Sequence, residues 1–391
     1  MKNIIEEIQK LSNEFHSEIV GIRRYIHKHP EISFNEYETA SYIQKILTKS
    51  GIETDESFGK NSVIGIINGS IPGETIALRA DIDALPMTEK TNLKFSSVNQ
   101  GVMHACGHDA HTASLIGTAL ILQKLKMHIK GRVILIFQPA EEKIPGGAKI
   151  LVEKGLLKKY DIKKIIGQHV LPEMETGHFS FSEGHVMAAT DEVFIRFEGV
   201  GGHAALPNKR SDTVMALVEF IYEAKQLQNR LISDMPFIIA FGKLVADGVL
   251  NVVPSRSSAD GTMRTFDENL RKNIKENLEQ IAENSAKNHK CTFNLDIRHG
   301  YPSVYNDPNL TAKAIDATKK YLPEKNIEKM EIRMTAEDFA YYGQEIPAVF
   351  YRMGILGNKK GNIGLHNEEF DIDEDALIYS MGLMAHIALN I

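Results

Sequence analysis

Nine consecutive residues, Met103-His104-Ala105-Cys106-Gly107-His108-Asp109-Ala110-His111, bring together a thiol, three imidazoles and a carboxylate. Thiolate and imidazole suit zinc and related first-row ions, and Gly107 permits the tight backbone path by which Cys106 and His108 converge. A plainer reading of the same residues makes Asp109 a helix cap and Cys106 a small core residue. A second group, Gln138-Pro139-Ala140-Glu141-Glu142, follows an apolar run. Two carboxylates at the end of a strand buried on both faces are costly unless a cation lies between them. One glutamate could then ligate while its neighbour takes the proton of a metal-activated water; the alternative is a solvated acidic turn. His169 closes the apolar run Ile165-Ile166-Gly167-Gln168, and His366 lies in the loop Gly361-Asn362-Ile363-Gly364-Leu365-His366-Asn367. Asp81 and Asp83, before Pro86, read either as acceptors that orient a ligating imidazole or as turn formers.

The elements that position these residues follow from periodicity. Ile4, Ile5, Ile8, Leu11, Phe15, Ile19, Ile22 and Ile26 recur at helical spacing, and His29-Pro30 ends that helix. Asn35 and Glu38 predict the cap of a second helix that stops at Gly51. Val63–Ile67, Thr75–Ala80, Arg132–Gln138 and Lys164–Val170 read as strands, with a helix near Ala110–Leu125. This predicts an α/β domain with a mainly parallel sheet. Ligands gather beyond the carboxyl ends of such strands, where Asp81, Asp83, Glu141, Glu142 and His169 all fall.

The texture changes near His185. Glu192–Glu198, Phe237–Leu244, Ser257–Arg264 and Thr292–Ile297 read as strands, and Ser211–Asn229 and Glu268–Lys287 as helices. The order strand, helix, strand, strand, helix, strand is that of an inserted ferredoxin-like α+β domain. The expected organisation is a discontinuous catalytic domain, 1-187 and 302-391, interrupted by a second domain, 188-301. After the insertion, a helix over Leu310–Tyr321 and a strand over Ala348–Met353 are expected.

Composition bounds the function. The 391 residues carry 45 Lys+Arg against 51 Asp+Glu, a net charge of −6, and the basic stretches Lys158–Lys159, Lys163–Lys164 and Lys359–Lys360 are too short for a nucleic-acid footprint. Two cysteines, Cys106 and Cys291, exclude a disulfide scaffold and favour a reducing compartment. Charges interrupt the N-terminal apolar residues, so no signal peptide is expected, and no apolar run approaches a membrane span. The expected location is cytoplasmic.

The segments ALRADIDALP, GVMHACGHDAHTA, FQPAEE, PGGAK, GVGGHAALP, LNVVPS, GTMRTF, AEDFAYY and GLHNEEF run in this order along the chain. Together they resemble the dinuclear metal amidohydrolases of the aminoacylase/carboxypeptidase G family. The matching branch is that of hippurate hydrolases, N-acetyl-diaminopimelate deacetylases and auxin-conjugate hydrolases. The resemblance implies a metallopeptidase-like catalytic domain with a lid that also dimerises. It implies Cys106, His108, Glu142, His169 and His366 as ligands of two divalent ions (Mn, Zn, Ni or Co), with Cys106 shared, and Glu141 as general base. It further implies His203, and by looser analogy Asn251 and Arg264, as substrate-binding residues, His203 reaching the site of the partner subunit. Asp81 stands where many relatives carry histidine, so no ligand role passes to it, and Asp83 is expected behind the ligands. The implied reaction is hydrolysis of N-acyl-L-amino acids. The alternatives are a dipeptidase or carboxypeptidase, an N-acetyl-diaminopimelate deacetylase, or a binding module that keeps the metal but has no use for Glu141.

Overall fold

The N-terminal apolar stripe forms one helix, α1 (Lys2–Lys28), which buries Ile8, Ile19, Ile22 and Ile26. These features belong to a computed structural model that describes residues 2–231, 235–357 and 361–391; the pair Lys359–Lys360 lies outside them. Helix α2 (Tyr37–Lys49) follows, but Asn35 does not cap it. The Glu31 carboxylate accepts the Glu38 and Thr39 N–H groups instead, at 3.2 and 2.8 Å. A longer side chain reaching back over the turn thus satisfies the free amides of the first turn.

Chain contacts divide the protein into two units, Met1–Val186 with Tyr305–Glu331 and Asp338–Ile391, and Met187–Val304 with Ile332–Glu337. The first unit is built on an eight-stranded sheet. Its centre is four parallel strands, β1 (Ile71–Asp81), β2 (Lys130–Gln138), β3 (Ile162–Glu175) and β4 (Ala348–Leu356), in the spatial order β2-β1-β3-β4. Val133–Phe137 of β2 are all buried, as strands covered on both faces must be. Antiparallel Val63–Asn68 and Glu53–Asp55 extend one edge, and Phe179–Phe181 and Ile327–Lys329 extend the other. Helix α3 (His108–Lys124) is buried almost all round and packs between α1 and the C-terminal helix α4 (Ala376–Asn390). A helix with no polar face belongs in an interior, which is where both α3 and α4 lie. No helix among the described residues is long and apolar enough to cross a membrane.

The second unit has the ferredoxin-like order. Ile238–Val245, Arg256–Thr265, Ala189–Glu198 and Thr292–His299 are neighbours in that sequence, all antiparallel, with helices Thr213–Arg230 and Glu268–Asn288 packed on them. Asp212 and Asp267 cap the two helices through the Met215 and Leu270 N–H groups. Residues 332–337, expected with the catalytic domain, join this unit because the Arg333 and Thr335 carbonyls accept the N–H of Ala188, at 3.0 and 3.1 Å.

Candidate metal centre

Parallel strands end at a common edge, and here that edge belongs entirely to the first unit. Strand β1 ends at Asp81, β2 ends at Gln138, and β3 carries His169 past the same level. Gly107 turns into α3 with φ +84°, and a Cβ there would meet Val170 Cγ2 at 2.5 Å, so both conformation and space demand glycine. The helix begins at His108, two residues earlier than the sequence suggests, which places His108 and His111 on its first turn. Asp109 is not its cap. Its carboxylate accepts Arg23 Nε at 2.6 Å and His27 Nδ1 at 2.8 Å, tying α3 to α1.

The predicted ligands converge. Cys106 Sγ lies 3.5 Å from His169 Nε2 and 3.3 Å from His366 Nε2, and His366 Nε2 lies 3.2 Å from Glu142 Oε1. His366 reaches this position with a left-handed backbone, φ +57°, held by its N–H donating to the Ala105 carbonyl at 2.7 Å. Among the groups of close ligand atoms are Cys106 with His108 and His169, Cys106 with Glu142 and His366, and His108 with Glu141 and Glu142, and Cys106 belongs to the first two. Contacts behind the imidazoles aim them. His108 Nδ1 donates to the Asp83 carbonyl at 2.9 Å, with Asp83 Oδ1 at 3.2 Å, and His169 Nδ1 donates to the Val170 carbonyl at 2.9 Å. The Nε2 lone pairs then face the cluster, the arrangement that orients metal-binding histidines.

The electrostatics match an anionic pocket. Hydrogen bonds to Cys106 and Glu142 raise the His366 imidazole to about 10. Burial lowers His108, but the charges of Asp81 and Cys106 more than reverse this and hold it well above the usual histidine range. Burial and the Glu142 charge push the Cys106 thiol up.

Asp81 and His111 carry a structural load instead. Asp81 Oδ2 accepts Arg79 at 2.6 Å and its Oδ1 accepts His111 Nδ1 at 2.7 Å, while His111 Nε2 accepts the Val170 N–H at 2.9 Å. Burial opposes ionisation of Asp81, yet His108 and Arg79 outweigh it and keep the carboxyl well below the usual range. Arg79 also donates to Gln138 and Asp338, at 2.9 and 2.8 Å. Sequence reasoning missed Arg79, Gln138 and Asp338 as a network, although a lone arginine inside an apolar strand signals a buried partner. Asp83 joins two further groups, accepting the Ser33 hydroxyl at 2.7 Å and the Glu142 N–H at 3.0 Å.

The substrate-binding candidates lie in the second unit, in two places. Gly202–His203 pairs with Val252–Val253, and the Asn251 carbonyl accepts the Ala204 N–H at 2.8 Å, so His203 and Asn251 are neighbours. Arg264 lies opposite Thr190, whereas the other end of the same strand, Arg256 opposite Glu198, leads to the His203 hairpin. The strand sets Arg264 roughly 25 Å from Arg256, the end that leads to His203 and Asn251. Arg264 Nη1 is buried with no hydrogen-bond partner among the described residues.

The first-unit cluster fits divalent metal. His108 Nε2 is buried without a hydrogen-bond partner among the described residues, and the ligand candidate Glu142 Oε1 stands 3.9 Å from it. That separation is about twice a metal–ligand bond of ~2.0–2.2 Å. Over residues 77–390 the sequence matches peptidase family M20/M25/M40. The protein belongs to this family. Among family relatives, the chain is 37% identical over 377 residues to N-acetylcysteine deacetylase of Bacillus subtilis, covering 96% of this chain and 97% of the relative. It is 35% identical over 395 residues to thermostable carboxypeptidase 1 of Saccharolobus solfataricus, covering 100% and 98%. The crystal structure of the Bacillus subtilis YXEP protein, described as a dinuclear metal-binding peptidase of the M20 family, superposes with TM-score 0.85 at 34% identity, over 96% of this chain and 98% of that one. Family membership and the ligand cluster together make the protein a metal-binding hydrolase of amide bonds.

Proposed function

We propose that the protein hydrolyses the amide bond of N-acyl-L-amino acids, with two divalent ions held by Cys106, His108, Glu142, His169 and His366. The observation that carries the reading is the division between adjacent glutamates. Both glutamates approach His108, Glu142 at 3.9 Å and Glu141 at 4.0 Å, but only Glu142 also falls in the ligand group of Cys106 and His366 among the described residues. A site that only bound metal would have no use for Glu141. When bound, the ions supply polarisation of the scissile carbonyl and acidification of a water.

The chain's own residues divide the remaining work. Glu141 accepts the proton of the attacking water and passes it to the leaving amine. His203 donates to the oxyanion that forms on attack, a contribution worth about 3 kcal/mol at comparable oxyanion sites. Arg264, with its unpartnered buried Nη1, binds the α-carboxylate, and Asn251 stands beside His203. One lid cannot offer both His203 and Arg264 to a substrate of amino-acid size across roughly 25 Å of strand. This supports a homodimer in which each site takes His203 and Asn251 from the partner subunit. Two free cysteines and no disulfide among the described residues accord with a reducing, cytoplasmic setting.

The name of the Saccharolobus relative favours a second reading, cleavage of peptides at the carboxyl end by the same chemistry. One screen decides between them: N-acetyl, N-benzoyl and N-palmitoyl amino acids and dipeptides, each with the protein reconstituted with Zn, Mn, Co or Ni. Turnover of acyl amino acids above dipeptides supports the first reading, and the reverse order supports the second. Inactivity on every substrate with every metal would remove both.

A further inference from the structure

The loop between α1 and α2 reaches beneath the glutamate pair. Glu36 is wholly buried, and its Oε1 accepts two backbone N–H groups, Ala140 at 2.7 Å and Phe34 at 2.9 Å, while Oε2 accepts Asn61 Nδ2 at 3.1 Å. Ala140 and Phe34 are both non-glycine residues in the left-handed region, with φ of +53° and +72°. Such backbones persist only where the surroundings hold them, and one carboxylate oxygen holds both. This commitment also explains why Glu36, although at the N-cap position of α2, makes no cap bond with its side chain.

On the far side of Glu141, the Glu142 N–H donates to Asp83 Oδ2, the atom that also accepts the Ser33 hydroxyl. The backbone of Glu141 is thereby pinned through both of its neighbours by residues tied to a single loop. The Gly147 N–H donates to the Ala140 carbonyl at 3.0 Å and Asp338 accepts the Ala148 N–H at 2.9 Å, so the far side of the turn has its own ties, while the Ala140 N–H is given to Glu36.

The geometry points to Glu36 as the positioning residue of Glu141: by holding Ala140 left-handed it fixes the direction in which the Glu141 carboxylate leaves the chain. The inference rests on Glu141 being the general base. Charge is not essential to the role, because any oxygen acceptor at the same place would hold the two amides. A mere packing role would instead depend on volume.

The test compares Glu36→Ala with Glu36→Gln in the metal-loaded protein and follows amide exchange in the metal-free protein. Glu36→Ala is expected to keep wild-type metal content and a KM within about threefold, while kcat falls on the order of 10²-fold, the scale of an ångström-level misplacement. Glu36→Gln, whose amide oxygen accepts the same two N–H groups, restores kcat to within about tenfold of wild type. Mass-spectrometric hydrogen exchange shows faster exchange in the peptide containing Ala140 for Glu36→Ala and wild-type protection for Glu36→Gln. Wild-type kcat in Glu36→Ala, equal damage in both variants, or unchanged exchange at Ala140 overturns the assignment. Should Glu36→Ala fail to fold, Glu36→Asp, which withdraws the acceptor by one methylene, takes its place in the same comparison. If the wild type hydrolyses none of the substrates, the functional reading fails, and the exchange experiment still judges the hold of Glu36 on Ala140.

Discussion

Glu142 Oε1 lies 3.2 Å from His366 Nε2 and groups with His366 and Cys106, while its neighbour Glu141 shares with it only the group at His108. Adjacent residues of one type therefore have different surroundings, and substitution separates them. Glu141→Gln should keep its metal and lose nearly all turnover, and Glu142→Gln should lose metal. Elemental mass spectrometry of the two proteins checks this, and equal metal loss in both would remove the assignment of Glu141 as base.

The two cysteines differ in the same way. Cys106 is buried among imidazoles, whereas Cys291 is half-buried and its thiol donates to the His289 carbonyl at 3.3 Å. Cys106→Ser should weaken metal binding by at least an order of magnitude, because a hydroxyl replaces thiolate poorly, and Cys291→Ser should leave it unchanged. Competitive chelator titration measures both, and comparable affinities would exclude Cys106 as a ligand.

A shared site makes complementation possible. In a dimer of Glu141→Ala with His203→Ala chains, one site is doubly damaged and the other is intact if His203 is supplied by the partner. Random exchange makes half of the dimers mixed, so co-refolded chains should recover about a quarter of wild-type activity. No recovery, with mixed dimers verified by native mass spectrometry, rules the shared site out.

Glu36 links the site to pH. Burial, reinforced by the Asp83 charge, raises its carboxyl from 4.5 to about 7. The folded state thus keeps a proton that the unfolded chain releases above pH 4.5. The contribution is fully present below that pH and is lost as pH rises through 7, on the order of 3 kcal/mol. Glu36→Gln cannot ionise, so its stability relative to wild type should grow between pH 4.5 and 8. Urea unfolding at a series of pH values measures the difference, and a pH-independent offset would contradict the burial argument.

The strands that carry the ligands were legible because each is a run of apolar residues long enough to stand out, and the ligands sit where those runs stop. The ferredoxin-like order was legible for the same reason. Phe179–Phe181 and Ile327–Lys329 were not, since three residues carry no measurable alternation. Helix α4 escaped because its apolar residues surround it and leave no stripe to detect. Asn35 misled because capping propensity is local, while the actual acceptor, Glu31, was selected by a turn the sequence does not display. Glu36 and Arg79 were invisible as site residues because their partners, Ala140 and Asp338, are brought to them only by the finished sheet.

Arg23, whose guanidinium reaches Asp109 on the first turn of α3, also donates to Asp371 at 2.9 Å and Glu374 at 3.2 Å. Those last contacts join positions 348 and 351 residues apart in the chain. Closing such long loops is slow, because their entropy is lost before the contacts that reward it are made. The turn that presents His108 is therefore held in part by contacts that are costly in chain entropy. Cys106 and His108 stand only one residue apart, yet the turn that aims them leans on a segment near the opposite end of the chain, so damage around Asp371 and Glu374 would reach the metal centre without touching any ligand.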